Sequence, residues 1–248
     1  MLDKTATYTF TAQPFLCDFS GHLSLSALGN QLLNCAEQHA SQRGFGMTNL
    51  AGTGTTWMLA RLAIEMKTMP NIGTTYQIET WIENVHSFFT NRNFTIIDTN
   101  HQPIGYARSF WIMVNTTFHN ATDLTAYKQL LNYQLPNKPC PIEKPTHRNT
   151  DGEPLPTTTT QMHYSDIDMN QHVNSIKYIE HILNLFPINW HQTHYITRFE
   201  ITYINQSHAD DTLKFVPSKT IDNTYNIKVD NSKNNIRVCR AQIRTITQ

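Results

Sequence analysis

Two stretches of the chain repeat their apolar residues at helical spacing. In the first half these are Leu25, Leu28, Leu32 and Ala36. In the second they are Val173, Ile176, Ile179, Ile182, Leu183 and Phe186, until Pro187 ends the run. After each, the period drops to two and strands are expected. Tyr76, Ile78, Thr80 and Ile82 alternate with their neighbours, as do Ile104, Tyr106, Arg108, Phe110, Ile112 and Val114. Leu213 and Phe215, then Tyr225, Ile227 and Val229, then Ile236 and Val238 do so later. A further short helix is predicted from about Thr122 to Leu131, capped by Thr122 or Asp123.

The halves share residues as well as periods. Asp18-Phe19-Ser20-Gly21-His22-Leu23-Ser24 lies over Asp168-Met169-Asn170-Gln171-His172-Val173-Asn174 without a gap. Ala60-Arg61-Leu62-Ala63-Ile64-Glu65-Met66 matches Thr197-Arg198-Phe199-Glu200-Ile201-Thr202-Tyr203, in a register that carries Gly73 opposite Asp210 at an expected turn. Two matches in the same order, each at the same structural juncture, point to duplication of one helix-plus-sheet unit. The fold class expected is α+β, each antiparallel sheet curving around its own helix. Between Asn132 and Pro156 fall six of the eleven prolines. Proline removes backbone donors and restricts its predecessor, so an extended linker is expected there. The domains are then 1–131, a linker at 132–156, and 157–248.

Composition narrows the function. At 39% hydrophobic residues, 248 residues suffice for substantial cores. The 19 basic and 19 acidic residues cancel, which argues against nucleic acid as the partner. No apolar run approaches the ~18 residues of a membrane span. Neither a secretory leader pattern nor a Cys-x-x-Cys pair is present. Cys17, Cys35, Cys140 and Cys239 therefore read as reduced thiols of a cytoplasmic protein. His191-x-x-His194 has the spacing of a ligand pair but no third ligand nearby, and no metal is expected.

The chemistry concentrates at Asp168-x-Asn170-x-His172, between a strand-like stretch (about Thr158 to Tyr164) and the second helix. Such a junction directs unpaired N–H groups and the positive helix end forward, where a carbonyl oxygen gaining charge would be stabilised. Backbone groups of Val173 and Asn174 are the expected donors. Imidazole passes protons near neutral pH, a carboxylate can orient it or a water, and an amide can hold either. The same residue types also serve as plain helix caps.

The run Ser165-Asp166-Ile167-Asp168-Met169-Asn170-Gln171-His172-Val173-Asn174, continuing to Lys177-Tyr178-Ile179, resembles the signature of acyl-acyl-carrier-protein thioesterases of the plant and bacterial type. Trp57-Met58-Leu59-Ala60-Arg61, Glu79-Thr80-Trp81-Ile82 and Arg108-Ser109-Phe110-Trp111-Ile112-Met113-Val114-Asn115 are similar to that family's first half. The resemblance implies a tandem hotdog fold, fatty acyl thioester substrates on acyl carrier protein, and no cofactor. It implies an acyl pocket in the first unit and catalysis in the second, with Asp168, Asn170 and His172 as the family's Asp, Asn and His.

The chain departs from the pattern after Ile201-Thr202-Tyr203-Ile204. A catalytic Glu, often followed by Cys, is usual there, and this chain has Gln206 and Ser207. Gln206 can hold a water but cannot take a proton as Glu does. Ser207 is conceivable as a nucleophile only if His172 reaches it. His181 stands where Trp is common, and Ser175 where a second Asn is. The mechanism expected is direct attack of water oriented by Asp168 and His172, with Asn170 and Gln206 positioning. Which of Asp168 and His172 takes the proton stays open. Asp18 and His22 keep the spacing in the first half, but Ser20 replaces the Asn, so that copy reads as a structural relic. An acyl-CoA thioesterase of the same fold, a non-catalytic acyl-binding protein with its site lost at Gln206, and assembly as a homodimer are left open.

Overall fold

The structure, a computed structural model, describes residues 2–145 and 152–247. The chain divides into two compact units, Met1–Lys144 and Pro145–Gln248. In the first unit, strand β1 (Thr5–Thr11) leads through a short 3₁₀ turn to helix α1 (Leu25–Gln42) and a single turn, α2 (Met47–Leu50). Strands β2 (Thr55–Met66), β3 (Thr75–Val85), β4 (Thr90–Ile97) and β5 (Pro103–Asn115) follow, and then α3 (Lys128–Leu131). The sheet is antiparallel in the order β1-β3-β4-β5-β2. Helix α1 starts where Ser24 Oγ accepts the Ala27 N–H at 3.2 Å. Of its predicted stripe, Leu28, Leu32 and Ala36 are buried and Leu25 is half-buried, while Cys35, which the periodicity did not single out, is buried with them. Register shifts at Leu59/Arg61, Ile82/Asn84 and Ile96/Ile97 bend and twist the strands.

The second unit repeats this plan. It holds β6 (Glu153–Pro154), β7 (Thr158–Gln161), α4 (Ser175–Leu183), α5 (Ile188–Thr193), β8 (His194–Tyr203), β9 (Thr212–Lys219), β10 (Thr224–Asn231) and β11 (Arg237–Thr247). Its order is β8-β11-β10-β9, with β6 and β7 both pairing β9. Small backbone details recur at the spacing that the sequence match requires. Ala12 exchanges hydrogen bonds with Gly73 and Thr74 (Ala12 N–H to Thr74 O, Gly73 N–H to Ala12 O), and Met162 does the same with Asp210 and Asp211. Gly73 and Asp210 both have positive φ, as do Gly21 (78°) and Gln171 (63°). A left-handed residue is needed at these turns, and glycine meets the need at least cost.

Three expectations change in detail. The helix expected over Thr122–Leu131 is two pieces, a 3₁₀ turn at Leu124–Ala126 capped by Asp123 and then α3, because Tyr127 leaves helical geometry between them. The second helix starts at Ser175 rather than near Val173, since Asn174 is extended and caps it through Oδ1 to the Ile176 N–H at 2.8 Å. Of the Pro-rich stretch, residues 146–151 lie outside those described. Residues 134–142 are packed, and a turn closed by Lys138 N–H to Leu135 O breaks the expected extended run: Leu135 N–H donates to Ile82 O, Trp81 Nε1 to Lys138 O, and Arg108 to Ile142 O. This strap covers the sheet face opposite α1. Both faces of β5 are therefore buried in part. Alternation found that strand, but the residues on the helix side are the small ones, Gly105, Ala107 and Ser109, which pair across to Ile96, Phe94 and Arg92.

Candidate active site

The Asp168–His172 loop is closed by its own backbone. Asp168 N–H donates to His172 O at 2.8 Å, and Gln171 N–H to Asp168 O at 3.0 Å. Asp168 Oδ1 accepts the N–H of Asn170 at 2.8 Å and of His172 at 3.3 Å. The carboxylate thus shapes the loop and reaches His172 through its main chain. The Asn170 side chain at the tip is exposed, while Asp168 and His172 are half-buried.

Behind the loop, Val173 N–H donates to Ser207 O at 2.8 Å. That bond fastens the segment Gln206-Ser207-His208 alongside the loop. The His208 ring lies 5.0 Å from the His172 ring, and its Nδ1 donates to Gln171 O at 3.4 Å. His208 is a neighbour that sequence reasoning missed. It sits two residues past Gln206, with no motif or period to mark it. Gln206 itself is exposed at this strand end.

Two expectations are corrected here. The Val173 and Asn174 amides were the expected oxyanion donors, but both are consumed, by Ser207 O and by Asp166 O, each at 2.8 Å. Buried backbone donors find acceptors, and tying the loop to α4 uses these two. The next amide, Ser175 N–H at the first position of α4, has no acceptor among the described residues. Ser207 is removed as a nucleophile: its side chain is fully buried, with its hydroxyl beside the Tyr178 phenol.

An acid–base pair braces the helix from below. His181 Nε2 lies 2.9 Å from Asp166 Oδ1, and Asp166 Oδ2 accepts the His163 N–H at 2.8 Å. Burial alone would raise the Asp166 pKa. The His163 N–H and His181 outweigh it and hold the carboxyl below its ordinary value. The His191 and His194 rings bond Leu183 O and Trp190 O, each at 3.0 Å, within a cluster around Trp190. Among the described residues no group of three metal-ligating side chains forms.

The first unit builds the same loop with a different filling. Asp18 N–H donates to His22 O at 2.8 Å, and Gly21 N–H to Asp18 O at 3.0 Å. Ser20 Oγ lies 2.6 Å from Asp18 Oδ1 and 2.9 Å from His22 Nδ1. The serine proton goes to the carboxylate, so the imidazole faces an oxygen already committed as donor.

A helix laid on an antiparallel sheet, made twice in one chain, defines the double-hotdog class. The chain belongs to the acyl-ACP thioesterase family: residues 4–126 match the family's N-terminal domain and residues 153–246 its C-terminal domain. It is similar to an acyl-ACP thioesterase from Bacteroides thetaiotaomicron, with 43% identity, a TM-score of 0.87 and 98% of each chain covered. The 12:0-ACP thioesterase from Umbellularia californica shares the fold, at 18% identity and a TM-score of 0.87 over 100% of this chain and 99% of that one. Oleoyl-acyl carrier protein thioesterase 2, chloroplastic, of Arabidopsis thaliana is 27% identical over 211 residues, 76% of this chain and 56% of that protein. The chain thus spans a little over half the length of such curated relatives.

Proposed function

We propose that the protein hydrolyses fatty acyl thioesters of acyl carrier protein, releasing a free fatty acid. The observation that carries this reading is the clasp between loop and strand end. Val173 N–H to Ser207 O ties the Asp168–His172 loop to the segment that carries Gln206 and His208, which supports a site shared by imidazole, amide and carboxylate. Water is the nucleophile, since Ser207 is sealed and Cys239, opposite Tyr203 on the neighbouring strand, is fully buried with its thiol pushed up by burial. With Asp168 Oδ1 occupied by two amides, His172 takes the proton from water. Asn170 and Gln206 hold the water or the thioester carbonyl by hydrogen bonds. Ser175 N–H receives the developing oxyanion at the positive end of α4.

The division of labour that the family implies, acyl chain in the first unit and chemistry in the second, is part of the same proposal. The four cysteines are free, which suits the reducing cytoplasm.

The test is thiol release from acyl carrier protein loaded with saturated and unsaturated acyl chains of graded length. We expect turnover by the wild type and a fall of at least about 100-fold in kcat for His172→Ala, in keeping with loss of a general base. Unchanged turnover in His172→Ala would remove the mechanism. Equal or faster release from matched acyl-CoA would move the substrate to coenzyme A. A wild type without turnover that gains it on Gln206→Glu would make this an acyl-binding protein whose site has decayed.

A further inference from the structure

The two Asp-x-x-x-His loops stand on one backbone pattern. In the second unit Asp166 N–H donates to His163 O, Val173 N–H to Ser207 O and Asn174 N–H to Asp166 O, and Ile167 bridges Val173. In the first, Leu16 N–H donates to Gln13 O, Leu23 N–H to Pro70 O and Ser24 N–H to Leu16 O, and Cys17 bridges Leu23. Every bond has its counterpart. The side chains at the base of the hairpin differ: where the second unit has Asp166 and His181, the first has Leu16 and Gln31.

Asp166 is 6% exposed, and all of its polar groups are used. Its Oδ2 accepts the His163 N–H at 2.8 Å, and its Oδ1 lies 2.9 Å from His181 Nε2. A carboxylate only accepts, so Nε2 carries the proton and donates it. His181 lies nearly two turns along α4 from the Asn174 cap. One residue therefore joins three pieces: the exit of β7, the closing end of the hairpin and the body of α4. In the first unit Gln31 Oε1 instead accepts the Tyr76 hydroxyl, and the apolar Leu16 side chain makes no such link.

A buried acid–base pair is costly to desolvate, and an apolar filling is often at least as stable. The first unit shows the same hairpin standing on Leu16, so the fold does not call for the pair. It is present in the copy that holds Asp168, Asn170 and His172, and missing where Ser20 replaces the Asn.

We propose that Asp166 and His181 are positioning residues, which fix the hairpin bearing His172 against the helix whose first amide is Ser175 N–H. This rests on the reading that the Asp168–His172 loop hydrolyses a thioester. It adds two residues that act through the base and the oxyanion donor rather than on the substrate. An ångström of misplacement between such groups costs up to about 100-fold in rate.

The experiment compares wild type with Asp166→Leu, His181→Gln and the double variant, which copies the first unit's filling and should fold as that unit does. Two readouts are taken. One is kcat and KM for thiol release from acyl carrier protein loaded with a saturated acyl chain. The other is hydrogen exchange at the Asp168, Val173 and Asn174 amides. We expect kcat to fall at least about tenfold in each single variant, with KM unchanged. The double variant should lose no more than the worse single one, because the two side chains act as a unit. The hairpin amides should exchange at least about tenfold faster while those of β10 keep their wild-type rates. Unchanged kcat in the double variant, losses that multiply, or unchanged exchange in the hairpin overturns the proposal. A lower melting temperature with kcat per folded molecule intact does so too, since the pair would then serve stability alone. If wild type releases no thiol, the hydrolase reading falls, and exchange by itself decides whether the pair holds the hairpin.

Discussion

Individual side chains here do work that their residue type does not announce. His39 is the plainest case. Exposed, it would titrate near 6.5; buried against Phe45 with Arg92 and Arg43 nearby, it is held neutral down to about 2. The folded value lies below the unfolded one. Its stabilising contribution is therefore complete above about 6.5 and drains away as pH falls toward 2, because only the unfolded chain accepts the proton. The loss should approach about 1.4 kcal/mol per pH unit. Urea unfolding of wild type and His39→Gln between pH 7 and 5 checks this: the variant should lose less stability over that interval, and parallel curves would refute it. Asp168 illustrates the converse. Its carboxylate was legible as a chemical group, but its hydrogen bonds to the Asn170 and His172 amides show a structural task that the motif did not reveal.

At the scale of elements, the strap over the first sheet is held by a buried polar junction. Glu83 on β3 accepts from Arg108 at 3.0 Å and from Asn93 Nδ2 at 2.6 Å, and Arg108 also donates to Ile142 O at 3.1 Å. Glu83→Ala strands the Arg108 guanidinium in a dry site, and breaking a buried pair in this way costs about 3–5 kcal/mol. A drop in melting temperature of many degrees is expected, and a change within a degree or two would show the junction to be dispensable. Proline content alone said that residues 132–156 are extended. It could not say that Cys140 and Ile142 are buried beside Ala63, because that depends on a sheet face assembled from residues far away in sequence. The same distance effect explains why alternation on β5 left its orientation undetermined. With one face toward α1 and the other under the strap, neither is freely solvated, and periodicity carries no sign of which is which.

For the molecule as a whole, duplication is the organising fact, and the two loops offer an internal control. Asp18 and Asp168 close equivalent turns through equivalent backbone bonds. Replacing either with Ala should cost about 1 kcal/mol in lost side-chain-to-backbone hydrogen bonds. Turnover should fall only for Asp168→Ala, since Ser20 and His22 are locked to each other and to Asp18. Equal loss of activity from both variants would refute the assignment of chemistry to the second copy. The sequence by itself determined the duplication, both helices, most strands and the Asp168-Asn170-His172 loop. Those depend on local periodicity, on turn residues and on a motif contiguous in the chain. Only the tertiary structure decided what long-range bonds control. It spends the Val173 and Asn174 amides, buries Ser207 and brings His208 to His172. It also leaves buried Arg92 with no carboxylate at ion-pair distance among the described residues. Each is a question of which distant group fills a given hydrogen bond or excludes water from a given charge, and no local pattern encodes that.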